Sequence, residues 1–129
     1  MKLLLLASAG GAIGAGARYL VNTHFEGRGL TAFPWSTFTV NVVGGFLMGI
    51  VVVLLQQRLG DSPEWRTFLA TGILGGLTTF SAFSLDTLRL IESADHSMSL
   101  RLFAYVGGSV VLSFLALLAG AWLARTALT

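Results

Sequence analysis

Four apolar stretches, each about as long as a bilayer is thick, constrain this 129-residue chain more than any other feature. A helix needs about 20 mostly apolar residues to cross the hydrocarbon core, and lipid offers no partner to an unpaired backbone amide or carbonyl. Stretches at roughly 3–23, 35–57, 66–91 and 101–124 meet that length. The joints between them collect most of the charge: Glu26 and Arg28; Arg58, Asp61, Glu64 and Arg66; Glu92, Asp95 and Arg101. Only 11% of the chain is charged and 54% is hydrophobic, which leaves no material for a soluble domain. The expected architecture is therefore an all-α membrane protein, with residues 1–129 forming a single domain of four transmembrane helices.

The opening MKLLLLASAGGA carries the lysine, leucine run and Ala-Ser-Ala triplet of a secretory signal. Its apolar run nevertheless continues to Val21, so it reads as the first span. A formal charge of +2 with no basic run argues against nucleic acid as a partner. Without cysteine there is neither disulfide nor thiolate chemistry.

Orientation normally follows an excess of Lys and Arg on the cytoplasmic side. With four spans, Lys2, Arg58, Arg66 and Arg125 share one side, while Arg18, Arg28, Arg89 and Arg101 belong to or border the other. The balance is even. It is compatible with a chain that inserts both ways and forms an antiparallel, dual-topology homodimer, or with a fixed topology in which borderline arginines are assigned elsewhere.

Within the spans, Gly10 and Gly14, Gly45 and Gly49, and Gly72 and Gly76 are small-xxx-small pairs that let helix backbones approach closely. Polar side chains are costly in lipid and face a bundle interior or a water-filled path. In the second span Thr37, Asn41, Gly44 and Gly45 share a face, setting a carboxamide beside a groove. Asn41 is the stronger functional candidate, because its carboxamide is hard to satisfy within one helix. Tyr105, Ser109 and Ser113 recur every fourth residue as a hydroxyl stripe in the fourth span; for either serine alone, bonding to its own helix or its neighbour is the simpler expectation. Arg18, near the end of the first span, either snorkels to the interface or gathers anions at an entrance. Asp86 and Arg89, three apart, are placed to pair.

The segment GGLTTFSAFSLD, residues 75–86, interrupts the third span with Gly, Thr and Ser. It predicts a helix broken at mid-membrane, freeing carbonyls that suit a small cation and amides that suit an anion. Phe80 and Phe83, three apart, would present electropositive ring edges on one face. With no lysine or arginine deep in the path, the anion would be small and hard. Lipid contact or plain packing is the competing reading for each phenylalanine.

The run G-G-L-T-T-F-S-x-F, the N-x-x-G of the second span and the first span's closing G-x-x-x-R resemble the Fluc (CrcB) family of bacterial fluoride channels along the whole chain. The resemblance implies an antiparallel dual-topology homodimer in the bacterial inner membrane, with two narrow pores that passively export toxic fluoride and reject chloride. It implies that Asn41 points into the pore and that Phe80 and Phe83 line it. The stripe Tyr105, Ser109 and Ser113 would run alongside, with Thr39 and Ser81 close by and Arg18 at the vestibule. It further implies a buried structural sodium ion held by the carbonyls of Gly75 and Thr78 where the broken helices of two copies cross. The chain departs from relatives at Ala82, where a hydroxyl residue is common, and at Asp86, a place associated with glutamate.

Three other functions compete. A small multidrug-type proton antiporter shares the four-span dual-topology plan but needs an embedded carboxylate; the first span has none, and Asp86 is expected toward a helix end. An assembly subunit would explain the glycines but not the break. An enzyme is disfavoured, because His24 and His96 are expected in loops without ligand spacing and no nucleophile has a base nearby in sequence.

Overall fold

The computed structural model describes residues 1–30, 32–93 and 98–128. Helices α1 (Lys2–Glu26) and α2 (Trp35–Gln57) are followed by α3 (63–77), α4 (Phe80–Glu92) and α5 (Met98–Leu128). Helices α3 and α4 together make the third span, Pro63–Glu92, so four apolar helical segments are long enough to cross a bilayer. Pro34 precedes α2 and Pro63 opens α3, both at helix starts where the missing amide costs nothing. Helix α1 runs three residues past its expected end, which puts His24 in its last turn instead of a loop. His96 and Asp95 lie outside the described residues.

The helices pack in two layers, α1 against α3 and α2 against α5. Glycine sets both seams. A Cβ on Gly10 would lie 2.5 Å from the Phe68 carbonyl oxygen, and one on Gly76 would lie 2.6 Å from that of Gly11. Across the other seam, a Cβ on Gly45 would come within 2.5 Å of the Ser113 carbonyl oxygen, and Gly49 and Gly120 meet backbone on the facing helix in the same way. Lipid tails are as apolar as leucine, so close backbone contact replaces hydrophobic exclusion as the cohesive force. The core is correspondingly thin, with Val40, Val53, Leu55, Leu74, Leu90 and Tyr105 as its buried large residues, while many other large apolar side chains face outward.

The third span departs from a plain helix in two ways. Residues Arg66–Leu74 are π-helical, a wider winding with i→i+5 bonds that is unusual at this length and frequent at functional sites. Nothing in the apolar pattern signals it. The break itself is narrower and later than the glycines suggested: Gly75–Leu77 is α-helical, and only Thr78 and Thr79 are extended, with ψ of 159° and 120°. Gly76 serves close approach to α1, not unwinding, whereas a Cβ on Gly75 would meet only the Ala70 carbonyl oxygen of its own helix.

At one end of the bundle Lys2 pairs with Glu64 at 3.1 Å and Arg66 with Asp61, tying the starts of α1 and α3 to the α2–α3 turn. At the other, Phe33, Trp35 and Phe38 cluster with rings 4.5–6.0 Å apart. Such aromatic groups suit the membrane–water boundary.

Candidate functional site

Asn41 is the pin on which the break is held. Its Oδ1 accepts the Thr79 amide at 2.9 Å, and its Nδ2 donates to the Thr79 carbonyl at 3.2 Å. The carboxamide thus substitutes for a strand neighbour at a residue that lies in neither half-helix. In a continuous helix the Thr79 amide would bond to the Gly75 carbonyl; donating to Asn41, it leaves that carbonyl without its i+4 donor. The cut ends are closed locally. Thr78 Oγ1 donates to the Leu74 carbonyl at 2.8 Å, and Thr79 Oγ1 accepts the Ala82 amide at 3.1 Å as the N-cap of α4. Gly44 completes the clamp, because the Thr78 methyl occupies the space its Cβ would fill.

Two cavities flank this clamp, and Thr79 walls both. The inner one, about 350 Å³, is lined by Asn41, Gly44, Gly45, Phe80, Phe83, Ser109 and Ser113, with Met48 and Leu117 among the remaining residues. Phe80 and Phe83 stack obliquely there, centroids 5.5 Å apart at 37°. Phe80 is 79% exposed in the single chain, an aromatic ring standing clear of its own bundle. The Ser109 and Ser113 hydroxyls are buried yet have no hydrogen-bond partner among the described residues, so they make neither the bond to their own helix nor the one to a neighbour that is the simpler expectation from sequence. A buried orphan hydroxyl costs about 1–3 kcal/mol unless something else occupies the site.

The second cavity, about 510 Å³, lies toward the ends of α1 and α4 and is lined by Arg18, Asn22, Thr37, Ser81 and Leu85 among others. It shares Asn22, Thr37, Ala82 and Leu85 with a third, about 470 Å³, where Arg89 and Arg101 stand. Arg18, Arg89 and Arg101 therefore stand on the approach to the break together with the carboxylates Glu26 and Asp86, and polar groups without charge line its far side.

The sequence-derived candidates divide accordingly. Asn41, Phe80, Phe83, Ser109 and Ser113 come together in the inner cavity, and Ser81 joins Arg18 in the outer one. Thr39 is half-buried on α2 and lines neither cavity. Tyr105 lines neither as well: it is fully buried, 5.3 Å from the Phe83 ring and 5.5 Å from that of Phe33. The freed carbonyl is that of Gly75, which is exposed, and Thr78 lines the inner cavity.

Sequence reasoning missed two parts of the arrangement. One is Thr79, whose position just before an apolar helix start is an N-cap signal that could have been read. The other is the environment of Asp86. Its Oδ2 accepts from Thr37 at 2.6 Å and from Tyr105 at 3.3 Å, and Arg89 approaches Oδ1 at 3.6 Å as its spacing suggested. The side chain is only 15% exposed, so this carboxylate is a tie between α2, α4 and α5 and not a loose group at a helix end. Those partners lie 49 and 19 residues away, beyond any local pattern.

A relative from Chelativorans sp. (strain BNC1) is 53% identical over 129 residues, covering 99% of this chain and 100% of its own length. Others from Rhizobium meliloti (strain 1021) and Caulobacter vibrioides (strain NA1000 / CB15N) are 49% and 47% identical, each covering 97% of this chain, and 98% and 97% of their own lengths respectively. All three bear the name fluoride-specific ion channel FluC. The family described as CrcB-like protein, Camphor Resistance (CrcB), matches residues 5–121, and the chain belongs to that family.

Proposed function

We propose that this chain is a passive, selective fluoride channel of a bacterial cytoplasmic membrane, exporting the ion down its gradient without chemical transformation. The observation that carries the reading is the pair of buried hydroxyls without a partner among the described residues, on Ser109 and Ser113, two residues that line one small uncharged cavity together with the two phenylalanines and Asn41. Hydroxyl hydrogens and ring edges offer many weak positive contacts to an anion, and no fixed cation there would trap it. Conduction needs binding weak enough for release. Arg18, half-buried on the outer cavity, raises the local anion concentration.

The single chain supplies half of an enclosure. Phe80 projects outward and Gly75 lies bare on the same span, which supports an antiparallel homodimer with two pores, as does the even distribution of positive charge between the two sides. Gly75 and Thr78 suit a structural sodium ion: a carbonyl deprived of its helical donor, next to an extended step, is the hard oxygen ligand that such an ion takes. When bound, the ion would neutralise those carbonyl dipoles in the membrane interior. The proton-antiporter reading lacks a free carboxylate, since Asp86 is engaged by Thr37, Tyr105 and Arg89.

Expression in a bacterial strain stripped of its own fluoride exporter tests the reading. Restored growth in added fluoride is the expected result; continued sensitivity with the protein present in the membrane would count against it.

A further inference from the structure

The inner cavity is polar at one end only. Asn41, Gly45 and Met48 lie along one face of α2, and close approach fixes their register against α5: Gly45 meets the Ser113 carbonyl, and Gly49 meets Leu117 and Ala121. Met48 therefore stands level with Leu117, about one helical turn beyond Ser113, and both line the cavity there. A thioether is at most a weak acceptor and leucine offers nothing, so Ser113 is the last hydrogen-bond donor before this end.

We propose that Met48, facing Leu117, forms an apolar step that sets the rate at which an anion crosses the inner cavity. This rests on the fluoride-channel reading above. An ion stripped of water meets donors from Asn41 to Ser113 and then a turn with none, where leaving the polar stretch is costly. Such hydrophobic constrictions limit passage by excluding water. Met48 is half-buried and has three rotatable side-chain bonds, so it can swing aside where a branched residue could not. Its side chain bears no hydrogen bond and its neighbour Gly49 makes the helix contact, which allows substitution without opening the α2–α5 seam.

The test is fluoride efflux from liposomes carrying purified wild type, Met48→Ser or Met48→Phe, each confirmed to have the wild-type oligomeric state. Serine should speed efflux about tenfold, the rate equivalent of one hydrogen bond to an ion. Phenylalanine, which lengthens the apolar step, should slow it by a similar factor. Shifts in opposite directions support the proposal, whereas a merely structural role would slow both. Any other pattern in a conducting background overturns it. A silent wild type would instead defeat the channel reading, and this inference with it.

Discussion

Phe80 and Asn41 illustrate two ways in which a single side chain serves this site. On the proposed reading the Phe80 ring offers an electropositive edge, whereas Asn41 contributes geometry, holding both backbone groups of Thr79. Phe80→Ile should abolish fluoride flux while leaving the oligomer intact, since bulk is kept and the ring lost; undiminished flux would remove Phe80 from the path. Asn41→Asp retains the acceptor for the Thr79 amide but loses the donor to its carbonyl and adds a fixed negative charge. Flux should fall to the background of empty liposomes, and a conducting Asn41→Asp channel would place the carboxamide away from the ion. Both residues were legible in the sequence because a polar amide and paired rings are conspicuous in an apolar span. What Asn41 does was not, since its partner lies 38 residues away and the bond depends on where the helix parts.

At the scale of elements, the four spans were readable from length and apolarity alone, and the glycine pairs did mark the seams. The extent of the break was not readable. Gly75 and Gly76 looked like its cause, yet Gly76 is needed for contact with α1, and the chain parts at two threonines whose hydroxyls close the cut ends. Composition shows where a helix is weak; tertiary clamps decide where it opens. Gly45→Val should destabilise the fold by about 1–3 kcal/mol or more, because its added atoms meet backbone that cannot rotate away. A lower thermal midpoint in detergent would register this, and an unchanged midpoint would mean that the α2–α5 seam yields without cost. Thr79→Val keeps shape but deletes the N-cap acceptor and should cost about 1 kcal/mol, visible in the same assay.

At the scale of the whole molecule, the cavities lie in sequence either side of the break. Arg18 stands on the outer cavity, with Arg89, Arg101, Glu26 and Asp86 on the one beyond it; a two-residue break divides the outer cavity from the inner, and uncharged donors line the inner one. That order suits attraction of an anion and then its dehydration without capture. Apolar side chains, Phe80 among them, cover the outside, and a second copy crossing antiparallel would enclose the open wall. Fluoride efflux from liposomes holding the purified protein, monitored with a fluoride electrode while valinomycin carries the counter-current and chloride serves as control, tests selective conduction most directly. Rapid release of fluoride with chloride retained is the predicted result. Equal release of both ions, or of neither from well-folded oligomers, would contradict it.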